Sequence, residues 1–238
     1  MWRVVVAASL AAASLAAASP AASPNATRGE RVALAALVVS GHKAADEGFV
    51  QQSACAALAL FASARGAGGF GGDAVLLAGP LGASPYNSSF PLMSELPFKT
   101  WWRGGATAQT LRPALVGVLG FIDAHGPYDG LYGFSAGAQL VAALSAPGMA
   151  AALGSRRSWR FVVCACGVSV ANGAADELLR TARPDEEDLP EKAMDDIDLP
   201  SLHIIGRKDV CRPMSVELAK TFREPTVVYH DGGHELPL

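Results

Sequence analysis

The chain has 238 residues, half of them hydrophobic, and 19 basic against 22 acidic side chains leave a net charge of −3. That length fits one domain with a sizeable core, and the balance excludes a mostly disordered chain or the basic footprint of a nucleic-acid binder. Four cysteines are too few for a disulfide scaffold and lack the spacing of a zinc ribbon.

The first stretch reads as a targeting segment. Arg3 supplies a single cation, Val4 to Ala18 is uncharged and rich in alanine, and Ala16-Ala17-Ala18 precedes Ser19-Pro20. This is n-region, h-region and cleavage site in order, so residues 1–23 are expected to be a signal peptide and 24–30 a linker. The expected destination is secretion or an endomembrane lumen. The alanine and serine content, with no acid before Glu30, keeps open an organelle transit peptide and a cytoplasmic location. The apolar run is short and soft and two prolines follow it, so no stable membrane span is expected. Asn25-Ala26-Thr27 and Asn87-Ser88-Ser89 are glycosylation sequons that fit the secretory reading.

From residue 31 to 238 apolar runs alternate with amphipathic or alanine-rich segments. Val32 to Val39 reads as a strand buried on both faces, Gln51 to Ala64 as a helix, and Ala74 to Ala78 as a second strand. A polar loop over Ser84 to Lys99 leads to Trp101-Trp102, and Ala106 to His125 follows as a helix stopped by Gly126-Pro127. Tyr128 to Phe134 is a strand and Ala136 to Ser145 a helix. Arg160 to Cys166, Ser201 to Ile205 and Thr226 to His230 complete the strands. Cys164 and Cys166 alternate along one of them and are expected to pack as small hydrophobes. Strands separated by helices predict an α/β fold with a mostly parallel, doubly wound sheet flanked by helices. Residues 171–200 stand apart: ten acids against three bases give −7, which reads as an acidic excursion, a solvated loop or a partial lid.

Gly133-Phe134-Ser135-Ala136-Gly137 is a G-x-S-x-G sequence placed where a short strand turns into a helix. That context is the nucleophile elbow of α/β-hydrolases, a strained turn that presents the serine oxygen at the carboxyl end of the sheet. A serine hydroxyl needs a base and an orienting carboxylate, which in this fold follow in the order acid, then histidine. Asp209 and His234 each lie just past a strand's carboxyl end and satisfy that order. Asp231 is the rival acid, but it stands only three positions from His234. Of the other histidines, His203 reads as packed within a strand, His230 as a strand end, His125 as part of a helix stop and His42 as a residue of the first loop. The His230-x-x-x-His234 spacing carries two glycines and no helix to align the rings, so no metal site is expected. Two backbone amides should form the oxyanion hole, from Ala136 and from His42 in the loop Ser40-Gly41-His42.

These residues also carry a family likeness. Gly126-Pro127-Tyr128-Asp129-Gly130 runs into Gly133-Phe134-Ser135-Ala136-Gly137-Ala138. Leu199 to Gly206 with Asp209, Gly232-Gly233-His234 and the pair Trp101-Trp102 complete the pattern. Over about Arg31 to His234 the chain resembles the FSH-type family of serine hydrolases. The resemblance implies a Ser-Asp-His hydrolase of small-molecule acyl esters or thioesters that needs no cofactor. The family usually has glutamine where this chain has Ala136, and ends its first strand in His-Gly and an aromatic residue where this chain reads Ser40-Gly41-His42. The expected activity is ester or thioester cleavage through an acyl-enzyme; an acyltransferase with the same triad and a silent hydrolase-like binding module are the alternatives. Acyl chain length, leaving group and oligomeric state are not written in the sequence.

Overall fold

The computed structural model describes residues 33–39, 71–77, 81–83, 98–169, 173–183 and 194–235. Residues 1–23 and 24–30, expected as signal peptide and linker, the helix expected over Gln51 to Ala64, Cys55, both sequons and His42 lie outside the described residues. In chain order the strands and helices run β1 (Ala33–Val39), β2 (Gly71–Leu77), β3 (Leu81–Ala83), β4 (Phe98–Thr100) and α1 (Ala108–His125). They continue with β5 (Gly130–Phe134), α2 (Ala136–Ser145), α3 (Met149–Ala152), β6 (Phe161–Ala165) and α4 (Ala174–Ala182). The last three are β7 (Ser201–Gly206), α5 (Arg212–Lys220) and β8 (Pro225–His230).

Six strands form one sheet in the order β2-β1-β5-β6-β7-β8, and every pairing in it is parallel. The apolar runs explain this arrangement, because β5, β6 and β7 are buried at every residue, as a parallel sheet covered on both faces demands. β3 and β4 make a separate antiparallel pair, each too short to show a period in the sequence.

The helices supply the layer on one face. In α1, Leu111, Leu115, Val118, Leu119 and Ile122 form a buried stripe, and a reciprocal Thr107–Thr110 capping box fixes its start. This stripe joins Leu140, Leu144, Met149, Leu178 and Leu218 in one cluster with Leu131, Val162 and Cys164 of the sheet. Trp101 is buried in the same cluster and Trp102 packs against it, so the tryptophan pair is core. Asp129 and Arg160, 2.6 Å apart, tie the approach to β5 to the start of β6, which gives the Gly126–Gly130 motif a structural task.

Of the acidic segment 171–200, residues 173–183 and 194–200 are described. Its opening is α4, which buries Ala174, Ala175, Leu178 and Leu179 and packs on α1. Asp176 and Glu177 sit in its first turn, where the helix dipole favours acids. Averaged charge hid a helix with one apolar face. Residues 184–193 lie outside the described residues. Beyond them Ile197 is buried, while Asp196 and Asp198 pair with Arg223 at 2.7 and 2.9 Å.

Parallel pairing brings the carboxyl ends of all six strands to one edge. The sequence order reverses between β1, which leads to β2 on one side, and β5, which leads through β6 and β7 to β8 on the other. Such a reversal opens a crevice beyond the strand ends. Val39, the last residue of β1, lies opposite Gly133 of β5, and Ser135 follows two residues later.

Candidate active site

Ser135 joins β5 to α2 with φ 53° and ψ −118°, a backbone conformation that costs energy for any residue with a side chain. Two features hold it there. Its amide donates to the Ala165 carbonyl at 3.0 Å, and Gly133 lets α2 pack against the strand. A Cβ on Gly133 would stand 2.5 Å from the Ala138 Cα and nitrogen and from the Gly137 carbonyl carbon, all backbone atoms. The glycine is therefore a steric requirement of the turn. Ser135 precedes the first residue of α2, but its side chain makes no capping bond, so Oγ is left to face the site.

Ser135 Oγ lies 3.0 Å from His234 Nε2, and His234 Nδ1 lies 2.9 Å from Asp209 Oδ2. The other carboxylate oxygen, Oδ1, accepts from the Cys211 amide at 2.7 Å. A carboxylate only accepts, so Nδ1 carries the proton and Nε2 is the acceptor for the serine hydroxyl. The Asp209 side chain is fully buried, whereas His234 is a third exposed and its ring tilts against Phe134 at 5.1 Å. Residues far apart in the chain thus form one hydrogen-bonded line.

Asp231 takes no part in it. Its side chain is almost wholly exposed and pairs with Arg207 Nε at 3.3 Å. His203 is buried in β7 with its ring edge on Phe222, and burial lowers its pKa to about 4. His230 is buried too, and burial lowers its pKa; its Nδ1 accepts from the Gly232 amide at 3.2 Å. His125 is exposed against Phe121. Both nitrogens of His234 face Ser135 and Asp209, and one nitrogen of His230 holds its own loop, so the pair shares no ligand geometry. Among the described residues, Cys166, Asp209 and His234 bring three ligand-type atoms within 4.8 Å. Metal binding would require a thiolate, and burial pushes the Cys166 thiol up to about 12 while the Asp209 oxygen faces His234.

Two loops carry the acid and the histidine, and backbone bonds zip them together. The Arg207 amide donates to the His230 carbonyl at 2.8 Å and the Lys208 amide to the Gly232 carbonyl at 3.0 Å. Gly206 makes this approach possible. A Cβ there would overlap the Gly233 carbonyl oxygen and come within 2.8 Å of the Gly232 oxygen. Gly206→Ala should therefore push the His234 loop outward and lower kcat about 10²-fold, the scale of a misplacement near 1 Å. Steady-state kinetics beside a melting curve checks this; unchanged kcat in a folded variant would show that the loop tolerates the shift.

The site elements fall within a recognisable family boundary. Residues 72–238 match the family described as Serine hydrolase (FSH1). The chain belongs to that family. This serine hydrolase is 34% identical over 131 residues to Esterase C25G4.2 of Caenorhabditis elegans, covering 52% of this chain and 51% of that protein. It therefore spans about half the length of the worm relative. Against Esterase OVCA2 of Mus musculus it is 29% identical over 230 residues, covering 87% and 91% of the two chains. Among solved structures, YahD with malic acid superposes with a TM-score of 0.51 at 12% identity, covering 89% of this chain and 90% of that one. That likeness concerns the fold, which is the α/β-hydrolase fold. The family resemblance carried by the elbow, Asp209 and Gly232-Gly233-His234 is thus borne out.

The matched region holds Ser135, Ala136, Asp209 and His234; His42 lies before it and outside the described residues. Sequence reasoning missed the zipped loops and the part Cys166 plays beside them. The available signal was position: Cys166 and Gly206 each stand at the carboxyl end of a strand, next to the loops that bear the site.

Proposed function

We propose that this serine hydrolase cleaves a carboxylic ester or thioester through an acyl-enzyme on Ser135, with His234 as base and Asp209 as its orienting acid. The observation that carries the reading is the continuous line from Ser135 Oγ through the His234 ring to buried Asp209, at 3.0 and 2.9 Å. His234 Nε2 takes the hydroxyl proton as Oγ attacks the acyl carbon, and Asp209 steadies the imidazolium that forms. The tetrahedral oxyanion is met by the Ala136 amide, at a helix start where N–H groups lack intrahelical partners, and by an amide of the 40–42 loop, assigned to His42. Collapse expels the alcohol or thiol, which leaves with the proton from Nε2. Water then attacks the acyl-enzyme with His234 again as base, releasing the acid and restoring the serine.

The substrate is a small acyl ester or thioester, in keeping with the relatives named esterases. A fluorophosphonate should label the folded chain once, with the added mass on the peptide containing Ser135. A series of chromogenic esters from acetyl to palmitoyl then gives the preferred acyl length, and an added alcohol acceptor separates hydrolysis from transfer. A natively folded chain that neither takes the label nor turns over any ester would overturn the assignment.

A further inference from the structure

Cys166 lies close to the Asp209–His234 pair, and the proposed chemistry gives it no task. It is fully buried, it follows β6 directly, and its backbone has φ +46°, a left-handed conformation unusual for a residue with a side chain. Its amide donates to the Ile204 carbonyl of the neighbouring strand at 2.8 Å, so the turn is anchored to β7. That conformation aims Sγ at the loop that carries the histidine. The thiol donates to the Glu235 carbonyl at 3.3 Å and lies 3.9 Å from the Gly233 carbonyl. These are the residues on either side of His234. Sγ also lies against the Asp209 carboxylate, within the same 4.8 Å cluster.

We infer that Cys166 is a positioning residue, whose thiol clamps the backbone on both sides of His234 and so keeps the imidazole between Ser135 and Asp209. The inference rests on the triad reading above. A neutral donor suits this place. A cationic one would compete with His234 Nδ1 for the Asp209 oxygen, whereas a neutral one holds the loop and leaves that oxygen to the ring. Burial and the neighbouring carboxylate push the thiol up to about 12, so it stays protonated over the range in which such an enzyme works.

The test compares Cys166→Gly, Cys166→Ser and Ser135→Ala with the wild type, measuring kcat and KM on one chromogenic ester, the rate of fluorophosphonate labelling, and melting. Glycine suits φ +46° but removes the clamp, so Cys166→Gly should lower kcat and the labelling rate by about 10- to 100-fold with KM nearly unchanged. Cys166→Ser keeps a donor at the same place and should stay within about threefold of the wild type. Cys166→Ala gives the same reading as glycine if the glycine variant fails to fold. Wild-type kcat in folded Cys166→Gly or Cys166→Ala overturns the inference. So does an equal loss in the serine variant, because the sulfur would then be filling space only. Persistent labelling of Ser135→Ala would instead overturn the triad reading itself, which keeps the two failures apart.

Discussion

Ser135→Ala is expected to lower kcat about 10⁶-fold on any ester the wild type hydrolyses, the scale on which removing a triad serine acts in other enzymes. The change removes the one atom that forms the covalent bond, so fluorophosphonate labelling should vanish with it. The fold should be untouched. Ser135 Oγ caps nothing, the residue is only half-buried, and alanine meets the same φ of 53° that serine already tolerates. Melting within a degree or two of the wild type would therefore accompany an almost complete loss of turnover. Retained turnover at even a hundredth of the wild-type rate would point to another nucleophile. The comparison also tells an enzyme from a silent binding module, which would show no activity before the substitution either.

The strands near the site were legible because a parallel sheet buries both faces, and an unbroken apolar run such as Phe161–Ala165 has no other ready reading. The order of Ser135, Asp209 and His234 was legible for a related reason. In an all-parallel sheet, every residue just past a strand's end comes to the same edge, so sequence position alone predicts proximity. Less was visible where local chemistry and tertiary context disagree. β2 begins at Gly71, three residues before the expected Ala74, because ladder bonds to β1 override the turn signal of Gly71-Gly72-Asp73. α5, where the sequence reading placed no element, begins at Arg212 with Pro213 in its first turn, a place that suits proline. α4 was obscured because net charge averages over a helix, whereas burial depends on one face of it.

The site shows the same division between what a chain order can reveal and what only packing can. That Asp209 precedes His234 is a sequence fact; that the two loops are stitched by the Arg207 and Lys208 amides is a fact about strand register, with Gly206 opposite His230. Gly206 looks like an ordinary strand terminator until the Gly233 carbonyl is found where its Cβ would be. Cys166 was rightly expected to be buried, but burial at a strand end differs from burial in mid-strand. Cys164 faces the helical core through Ala138, whereas Cys166 has passed the end of β6 and turns toward the site.

Asp209→Asn should lower kcat by about 10³- to 10⁴-fold with little change in KM, because the amide reverses the tautomer of the base. The local bonding makes that outcome hard to avoid. Oδ1 of Asp209 accepts from the Cys211 amide at 2.7 Å, so an asparagine keeps its carbonyl oxygen there and turns its NH₂ toward His234 Nδ1. The flipped rotamer would set the NH₂ against the Cys211 N–H, donor against donor, in a fully buried position. His234 Nδ1 must then accept, Nε2 carries the proton, and the ring can no longer take one from Ser135. Asp231→Asn is the matched control. Its carboxylate faces solvent and, among the described residues, pairs with Arg207, which keeps its stacking contact with Tyr229 at 5.0 Å. Exposed pairs of this kind contribute little, so kcat should stay within about twofold. If the large loss appears in Asp231→Asn and the small one in Asp209→Asn, the orienting acid is Asp231 and the histidine loop adopts another arrangement during turnover.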